Sequence, residues 1–305
     1  MRVLRYLLLG SLMALLACSF SSSQDSESIT EADIYEAAQD QLDREQWEPA
    51  IANLRALEEN FPFGTFAEQA QLELIYAYHR SSQPEMVAAT ADRFIRLHPQ
   101  HRNVDYAFYM KGVSAFSGSN SFVLNAFSSD MSQRDLGEAR ESLSHFSQLI
   151  NRFPESPYVS DAKQRMLHLR NILARYEIHV ANYHFKRGAY LAATNRGRYV
   201  LEHFHKTPAV PDALAVMAQG YHLMKMPERS KQYQELLRLN YPEHPALKPN
   251  GEFDFDYSWG TGKRSFLHRI TLGILDKDEP IGFDSRELYN TEYQKAPKPK
   301  AFGIF

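Results

Sequence analysis

Asn60-Phe61-Pro62-Phe63-Gly64 closes a stretch whose apolar residues Trp47, Ala50, Ile51, Leu54 and Leu57 recur at three- and four-residue spacing. That spacing is the stripe of a half-buried helix. A proline just beyond it stops the helix, because proline lacks the N–H donor and clashes with the preceding turn. The same signature returns as His98-Pro99, Phe153-Pro154, Thr207-Pro208 and Tyr241-Pro242, with intervals between prolines of 37, 55, 54 and 34 residues. A chain that punctuates itself at such intervals is a repeat array.

The first and last intervals lie near the tetratricopeptide period of about 34 residues, and the middle two exceed it by one insertion each. Gly188-Ala189-Tyr190 with Ala193, and Gln46-Trp47 with Ala50-Ile51, resemble the tetratricopeptide turn and the start of its second helix. Further stripes run through Val87, Ala91, Phe94, Ile95; Ala139, Leu143, Phe146, Leu149; and Leu214, Met217, Ala218, Tyr221. The expected fold is all-α, an α-solenoid of about five tetratricopeptide-like helix pairs. Two insertions stand out: a Ser/Asn-rich loop from Ser117 to Arg134, and an uninterrupted helix from about Tyr158 to Arg187. Stacked pairs bind extended peptides or the edge of a partner, so function is expected on a surface.

The amino terminus reads as an address. Arg2 and Arg5 precede a twelve-residue apolar run, Tyr6 to Ala17. That run is too short to span a hydrocarbon core of about 30 Å as a helix, and fits the apolar segment of a secretory signal. It ends Leu15-Leu16-Ala17-Cys18, which resembles the bacterial lipobox. The resemblance implies that Cys18, the sole cysteine, carries the lipid and becomes the mature terminus, with residues 18–30 as a polar tether. Ser19 after the cysteine implies delivery to the outer membrane, facing the periplasm. No dissociable cofactor is expected. The whole chain has 305 residues, is 44% apolar and carries a net charge of −3, which excludes wholesale disorder and gives no general attraction to nucleic acid.

Five stretches are more specific than the repeat consensus: Asn60 to Gly64, Gln71 to Tyr78, Asp92 to Pro99, Asp105 to Gly112, and Arg187 to Tyr190 leading to Asn195-Arg196. Together with the lipobox they resemble the BamD (YfiO-type) family, lipoproteins of the outer-membrane β-barrel assembly machinery. The resemblance covers residues 31–245. It implies a non-enzymatic scaffold whose N-terminal pairs (31–154) receive unfolded barrel precursors and whose C-terminal pairs (155–245) dock the periplasmic domains of the barrel subunit, BamA. Accessory lipoproteins of the complex are implied nearby. By position, Arg196, with Asn195, matches the family's contact to the barrel subunit, and Phe61, Phe63 and Gly64 match an element near the precursor region. The residues themselves leave roles open. Phe61 and Phe63 either contact peptide or cap the inter-repeat core, with Gly64 available for positive φ; Tyr76 and Tyr78 either line a groove or pack. A second job on the same architecture is that of a pilotin escorting a secretin.

Catalytic and metal signatures fail. His179 and His184 point around the helix from one another, and neither HExxH nor GxSxG occurs. Gly260-Thr261-Gly262-Lys263-Arg264 lacks the first glycine and the Ser/Thr of a phosphate loop, and reads as a turn. The extension 246–305 is rich in aromatics. Phe253, Phe255, Tyr257 and Trp259 alternate with polar residues, which suits either a strand added to a partner's sheet or a segment folded back over the last helices. Ser265 to Leu275 reads as a short amphipathic helix. Because the repeats end near Pro245, removal of 246–305 is expected to leave a folded core.

Overall fold

The computed structural model describes residues 30–117, 136–257 and 282–289. Within them the protein is all-helical, built from tetratricopeptide-like pairs. In chain order these are α1 (Glu31–Asp43) and α2 (Trp47–Asn60), α3 (Ala67–Arg80) and α4 (Pro84–Leu97), α5 (Val104–Ser117) and α6 (Gly137–Arg152), α7 (Val159–Lys186) and α8 (Tyr190–His203), and α9 (Val210–Leu223) and α10 (Pro227–Asn240). A single turn, α11 (Arg286–Tyr289), follows in the extension. The lipobox, the loop expected from Ser117 to Arg134 beyond Ser117 itself, Trp259, the Gly260–Arg264 turn and the Ser265–Leu275 helix fall outside the described residues.

Local chemistry explains the boundaries. Thr30 caps α1 reciprocally with Asp33: the Asp33 N–H donates to the Thr30 hydroxyl (3.3 Å), and the Thr30 N–H donates to the Asp33 carboxylate (2.8 Å). Pro84, Pro211 and Pro227 sit in the first turns of α4, α9 and α10, where the missing N–H costs nothing. The second helices end on a ring: Phe61, His98, Phe153, Phe204 and Tyr241 all leave the helix at φ between −127° and −140°. Four of them precede proline, which disfavours helical backbone in the residue before it. The fourth helix differs from the sequence expectation. It ends at His203 on the ring of Phe204, and Thr207-Pro208 lies in the connection to α9. The turns inside the pairs repeat as well, each with one left-handed residue: Glu45 (φ 56°), Ser82 (φ 60°), Gly188 (φ 71°) and Lys225 (φ 60°). Only one of these four is glycine, so the turn is dictated by the helices on either side.

The chain divides into two compact units at the Ser81–Ser82 junction. In the first, α2 packs against α1 and α3 over a core of Ala38, Ala50, Leu54, Leu57, Leu74, Ile75 and Tyr78. In the second, α4 packs on α5, α5 on α6 and α6 on α7, with α7 also touching α8 and α9. At 28 residues and about 1.5 Å per residue, α7 is roughly 42 Å long. Glycines let other helices approach each other closely: a Cβ on Gly197 of α8 would meet Val216 Cγ1 of α9 at 2.8 Å, and one on Gly112 of α5 would meet the Phe146 ring of α6 at 2.6 Å.

The described parts of the extension, 246–257 and 282–289, contribute side chains to the core, which stands against the expectation that removal of 246–305 leaves the helical core intact. Phe253 and Phe283 are buried in the same cluster as Ile178, Phe185, Val200 and Val216. Of the two readings open for the alternating stretch, folding back is the one observed. Phe253 makes a lone antiparallel bridge to Leu247, and Phe255 lies flat on His222 at 3.8 Å.

Candidate docking site

Arg196 stands on the exposed side of α8, its side chain 44% exposed, with exposed Asn195 beside it. Its guanidinium donates to Glu177 on α7 at 2.9 Å. Glu177 is only 4% exposed and is approached from the other side by Arg140 of α6, at 3.6 Å. A buried carboxylate is costly unless it is paired. Here it is paired by two arginines that both keep about half of their surface in water. One turn further along α8, Tyr199 is exposed and rests against His203, ring to ring at 4.4 Å.

The residues expected to meet precursor lie in the first unit, but not in one place. Phe63 projects wholly into solvent and Phe61 is half-buried at the end of α2. Gly64 does not use positive φ. Its requirement is room: a Cβ there would fall on the Glu31 carboxylate, which accepts the N–H groups of Thr65 (3.1 Å) and Phe66 (2.7 Å). Phe66 in turn stacks on Tyr35 at 4.4 Å, and burial beside Glu73 pushes the Tyr35 phenol up to about 12. Tyr76 sits nine residues into α3, about 14 Å of rise from that turn. It forms a second cluster: its hydroxyl accepts from Arg80 (2.7 Å), its ring meets Trp47 edge-on at 5.9 Å, and the Arg80 guanidinium lies over the indole at 4.5 Å. Tyr78 points the other way, into the core, at 4% exposed. For that residue packing, not groove lining, is what the geometry gives.

Residues 27–237 match the family model YfiO, described as outer membrane lipoprotein. The chain belongs to that family. Among its relatives, the outer membrane protein assembly factor BamD of Neisseria meningitidis serogroup B is 36% identical over 252 residues, covering 81% of this chain and 94% of the relative. The factor of the same name from Vibrio cholerae is 33% identical over 239 residues, covering 78% of this chain and 99% of that one. The one from Haemophilus influenzae is 31% identical over 252 residues, 82% and 96% of the two chains. This member of the YfiO family is therefore an outer membrane lipoprotein of the assembly-factor type. Among the described residues no helix is long and apolar enough to cross a membrane.

The YfiO match stops at 237, and the constellation that sequence reasoning missed joins residues inside it to residues beyond it. Arg175 on α7, itself buried, donates to Asp212 on α9 (2.6 Å), to Asp284 (3.1 Å) and to the carbonyl of Phe283 (3.1 Å). Asn182, two turns along, clamps the same residue, donating to the Phe283 carbonyl and accepting its N–H, both at 3.0 Å. Asp212 is fully buried and also accepts the Ser285 N–H (3.0 Å) and a hydrogen bond from His244 (3.1 Å). The other His244 nitrogen accepts the Ala246 N–H (3.2 Å), which leaves Nε2 as the donor to Asp212. Burial alone would raise the Asp212 carboxyl; the Arg175 charge and the His244 hydrogen bond outweigh it and hold the group well below the ordinary range. Arg175, Asn182 and Asp212 together fasten residues 283–285 to α7 and α9, and His244 ties the start of the extension to the same carboxylate. Spacing could not reveal it, since the partners are up to 109 residues apart.

A cavity of about 320 Å³ opens between α5, α6 and α7, with Phe116 and Phe146 on its apolar side and Asp161 and Arg165 on its polar side. Asp161 accepts from the Tyr109 hydroxyl (2.7 Å) and from Arg165 (2.5 Å). Among the described residues no three His, Cys, Asp or Glu side chains converge as metal ligands.

Proposed function

We propose that the protein is a non-catalytic receptor and scaffold of the outer-membrane β-barrel assembly complex, held at the membrane by acylated Cys18 and facing the periplasm. In this reading the N-terminal pairs take up unfolded barrel precursors through Phe61, Phe63 and Tyr76, with Gly64 shaping the turn and Tyr78 supporting it from the core. The C-terminal pairs dock the periplasmic domains of the barrel subunit, BamA, through Arg196 and Asn195, and accessory lipoproteins bind nearby. The observation that carries the reading is a fully exposed Phe63 in one unit and a half-exposed arginine tethered to a buried carboxylate in the other. Phenylalanine and arginine are both enriched in protein–protein interfaces relative to the rest of the surface.

The test is affinity purification of the full-length chain from detergent-extracted membranes, as wild type and as Phe63→Ala. Wild type is expected to retain the barrel subunit and unfolded precursors. The variant is expected to keep the barrel subunit and its melting temperature while losing several-fold in precursor. Recovery of a secretin in place of the barrel subunit would replace this reading with that of a pilotin.

A further inference from the structure

Tyr221 on α9 draws in an arginine from the helix on either side of it. Arg198 of α8 donates to its hydroxyl at 3.0 Å, and Arg229 of α10 at 3.4 Å. The tyrosine is buried and its ring is fixed: Tyr233 stacks on it at 5.6 Å, and the Arg229 guanidinium also lies over it, 5.6 Å from the centroid. Elsewhere arginines meet on a carboxylate, as Arg140 and Arg196 do on Glu177, and as Arg175 does on Asp212 and Asp284. Here the meeting point is a neutral oxygen. Two guanidiniums on one atom repel each other. Glu202 on α8 attracts Arg198 without closing an ion pair, and Glu228, beside Arg229, closes none among the described residues. Burial would raise the Tyr221 phenol; Arg229 and Arg198 outweigh it and hold the group below its ordinary value.

Each guanidinium carries five N–H donors in a fixed fork and spends one on Tyr221. The phenol oxygen accepts both, and no acceptor for its own proton stands among the described residues. Donors from three helices thus converge, and no carboxylate of the chain is hydrogen-bonded to them. One guanidinium fork satisfies a planar carboxylate, whereas a tetrahedral phosphate turns its oxygens in several directions and suits two forks at once. We infer that Arg198 and Arg229 form a binding site for the phosphate of a phospholipid headgroup, with Tyr221 as the positioning residue that holds the two forks together. The chain belongs to an outer membrane lipoprotein family, so a leaflet of such headgroups is the anionic surface beside which it works. A phosphate there would offset the repulsion between two guanidiniums whose places are already set, which lowers the ordering cost of binding. The inference goes beyond the docking reading and draws on neither Arg196 nor Phe63.

The experiment titrates dihexanoyl phosphatidylglycerol, a water-soluble short-chain phospholipid, into the full-length acylated chain in a non-ionic detergent, read by calorimetry at two salt concentrations. Wild type is expected to bind saturably, and more weakly at the higher salt. Arg198→Gln and Arg229→Gln are each expected to weaken binding about five-fold, the upper range for one exposed ion pair, and the double variant to abolish saturable binding. Either single variant leaves the Tyr221 hydroxyl its other donor, so the fold is retained, which a thermal melt checks. Tyr221→Phe keeps the ring stacked on Tyr233 and removes the atom on which the arginines meet; it is expected to weaken binding less than either arginine variant, and an unchanged affinity would strike the positioning role. Arginine variants that lower the melting temperature and leave the titration unchanged would make the cluster purely structural and overturn the inference. A loss confined to one of the two arginines would overturn the shared site. Inorganic phosphate that binds as tightly as the phospholipid, and competes with it, would make the ligand a free anion and overturn the headgroup assignment. Variants that release the barrel subunit in affinity purification, with the phospholipid titration unchanged, would assign the pair to an acidic protein partner and overturn it as well.

Discussion

Phe61-Pro62-Phe63-Gly64 in the first unit and Gly282-Phe283-Asp284-Ser285 in the second each set a phenylalanine beside a glycine, and the two rings meet opposite fates. Each sets a glycine against a polar side chain from an earlier helix, and each has its backbone bound by that side chain: Glu31 takes the N–H groups after Gly64, and Asn182 takes the N–H and the carbonyl after Gly282. Yet Phe63 is fully exposed and Phe283 is fully buried. The difference lies in what else converges. Around Phe283 stand Phe185, Phe253 and Tyr257, with rings 5.8 to 6.3 Å away, and Arg175 and Asp212 close the polar side. A phenylalanine left in water with its own backbone ordered is available to a partner; one that finishes a core is not.

The comparison breaks first on truncation of the rings. Phe283→Ala should cost about 3–5 kcal/mol, as for a large aromatic removed from a closed core, and lower the urea midpoint of the second unit. Phe63→Ala should move stability by no more than about 0.5 kcal/mol, the usual range for an exposed site. Equal midpoints for the two variants would mean that 282–289 is a loose appendage.

Acid sharpens it next. Asp212 has its native carboxyl held below its unfolded value, so the stabilisation it contributes is complete above the unfolded pKa of about 4 and is lost as pH falls below that toward the native value. Asp212→Asn should cost about 3–5 kcal/mol at neutral pH, because Arg175 is left buried beside a neutral amide with only the partly exposed Asp284 as counter-charge. The variant should also lose stability less steeply than wild type between pH 5 and pH 3, roughly the span flanking that carboxylate pKa. Chemical denaturation at both pH values decides it. A variant that is as acid-sensitive as wild type would place the acid-labile group elsewhere.

Much of the helical frame was legible in the sequence because it obeys local rules. Apolar stripes at helical spacing, prolines past helix ends and the Gly188-Ala189-Tyr190 turn are all short-range, and five pairs follow from them. Where the rule was borrowed too far, at Thr207-Pro208, the helix had already ended on the ring of Phe204. The site was legible only in part. Arg196 was named by resemblance, but its dependence on Glu177, nineteen residues earlier, and on Arg140, on a third helix, is tertiary. Tyr76 and Tyr78 are two apart, so a helix points them about 200° from one another; the pattern marks one as outward and one as inward without saying which. The extension resisted reading for the opposite reason. Its first aromatics alternate as in a strand, yet they fold onto helices, and what fixes the later stretch 283–285 is a set of buried polar side chains more than seventy residues away along the chain.

The glycines give the smallest and most discriminating contrast. Gly282 lies at φ 92°, where side chains are strained, and a Cβ there would also press on the Asn182 amide, so Gly282→Ala should cost about 1–3 kcal/mol whatever else is changed. Gly64 has no positive φ, and the three atoms nearest its Cβ would all belong to the Glu31 carboxylate, the far end of a flexible side chain. Gly64→Ala should therefore cost about 1 kcal/mol, the net worth of hydrogen bonds to N–H groups that water can partly replace. If crowding of Glu31 is the whole of that cost, Gly64→Ala should be nearly silent in a chain that already carries Glu31→Ala, whereas Gly282→Ala should remain costly in a chain carrying Asn182→Ala, because the backbone strain survives. Thermal melts of the two double-variant cycles measure both couplings. A Gly64→Ala cost undiminished in the Glu31→Ala background would mean that the first turn, too, depends on backbone conformation, and that the two aromatic-glycine segments are governed alike.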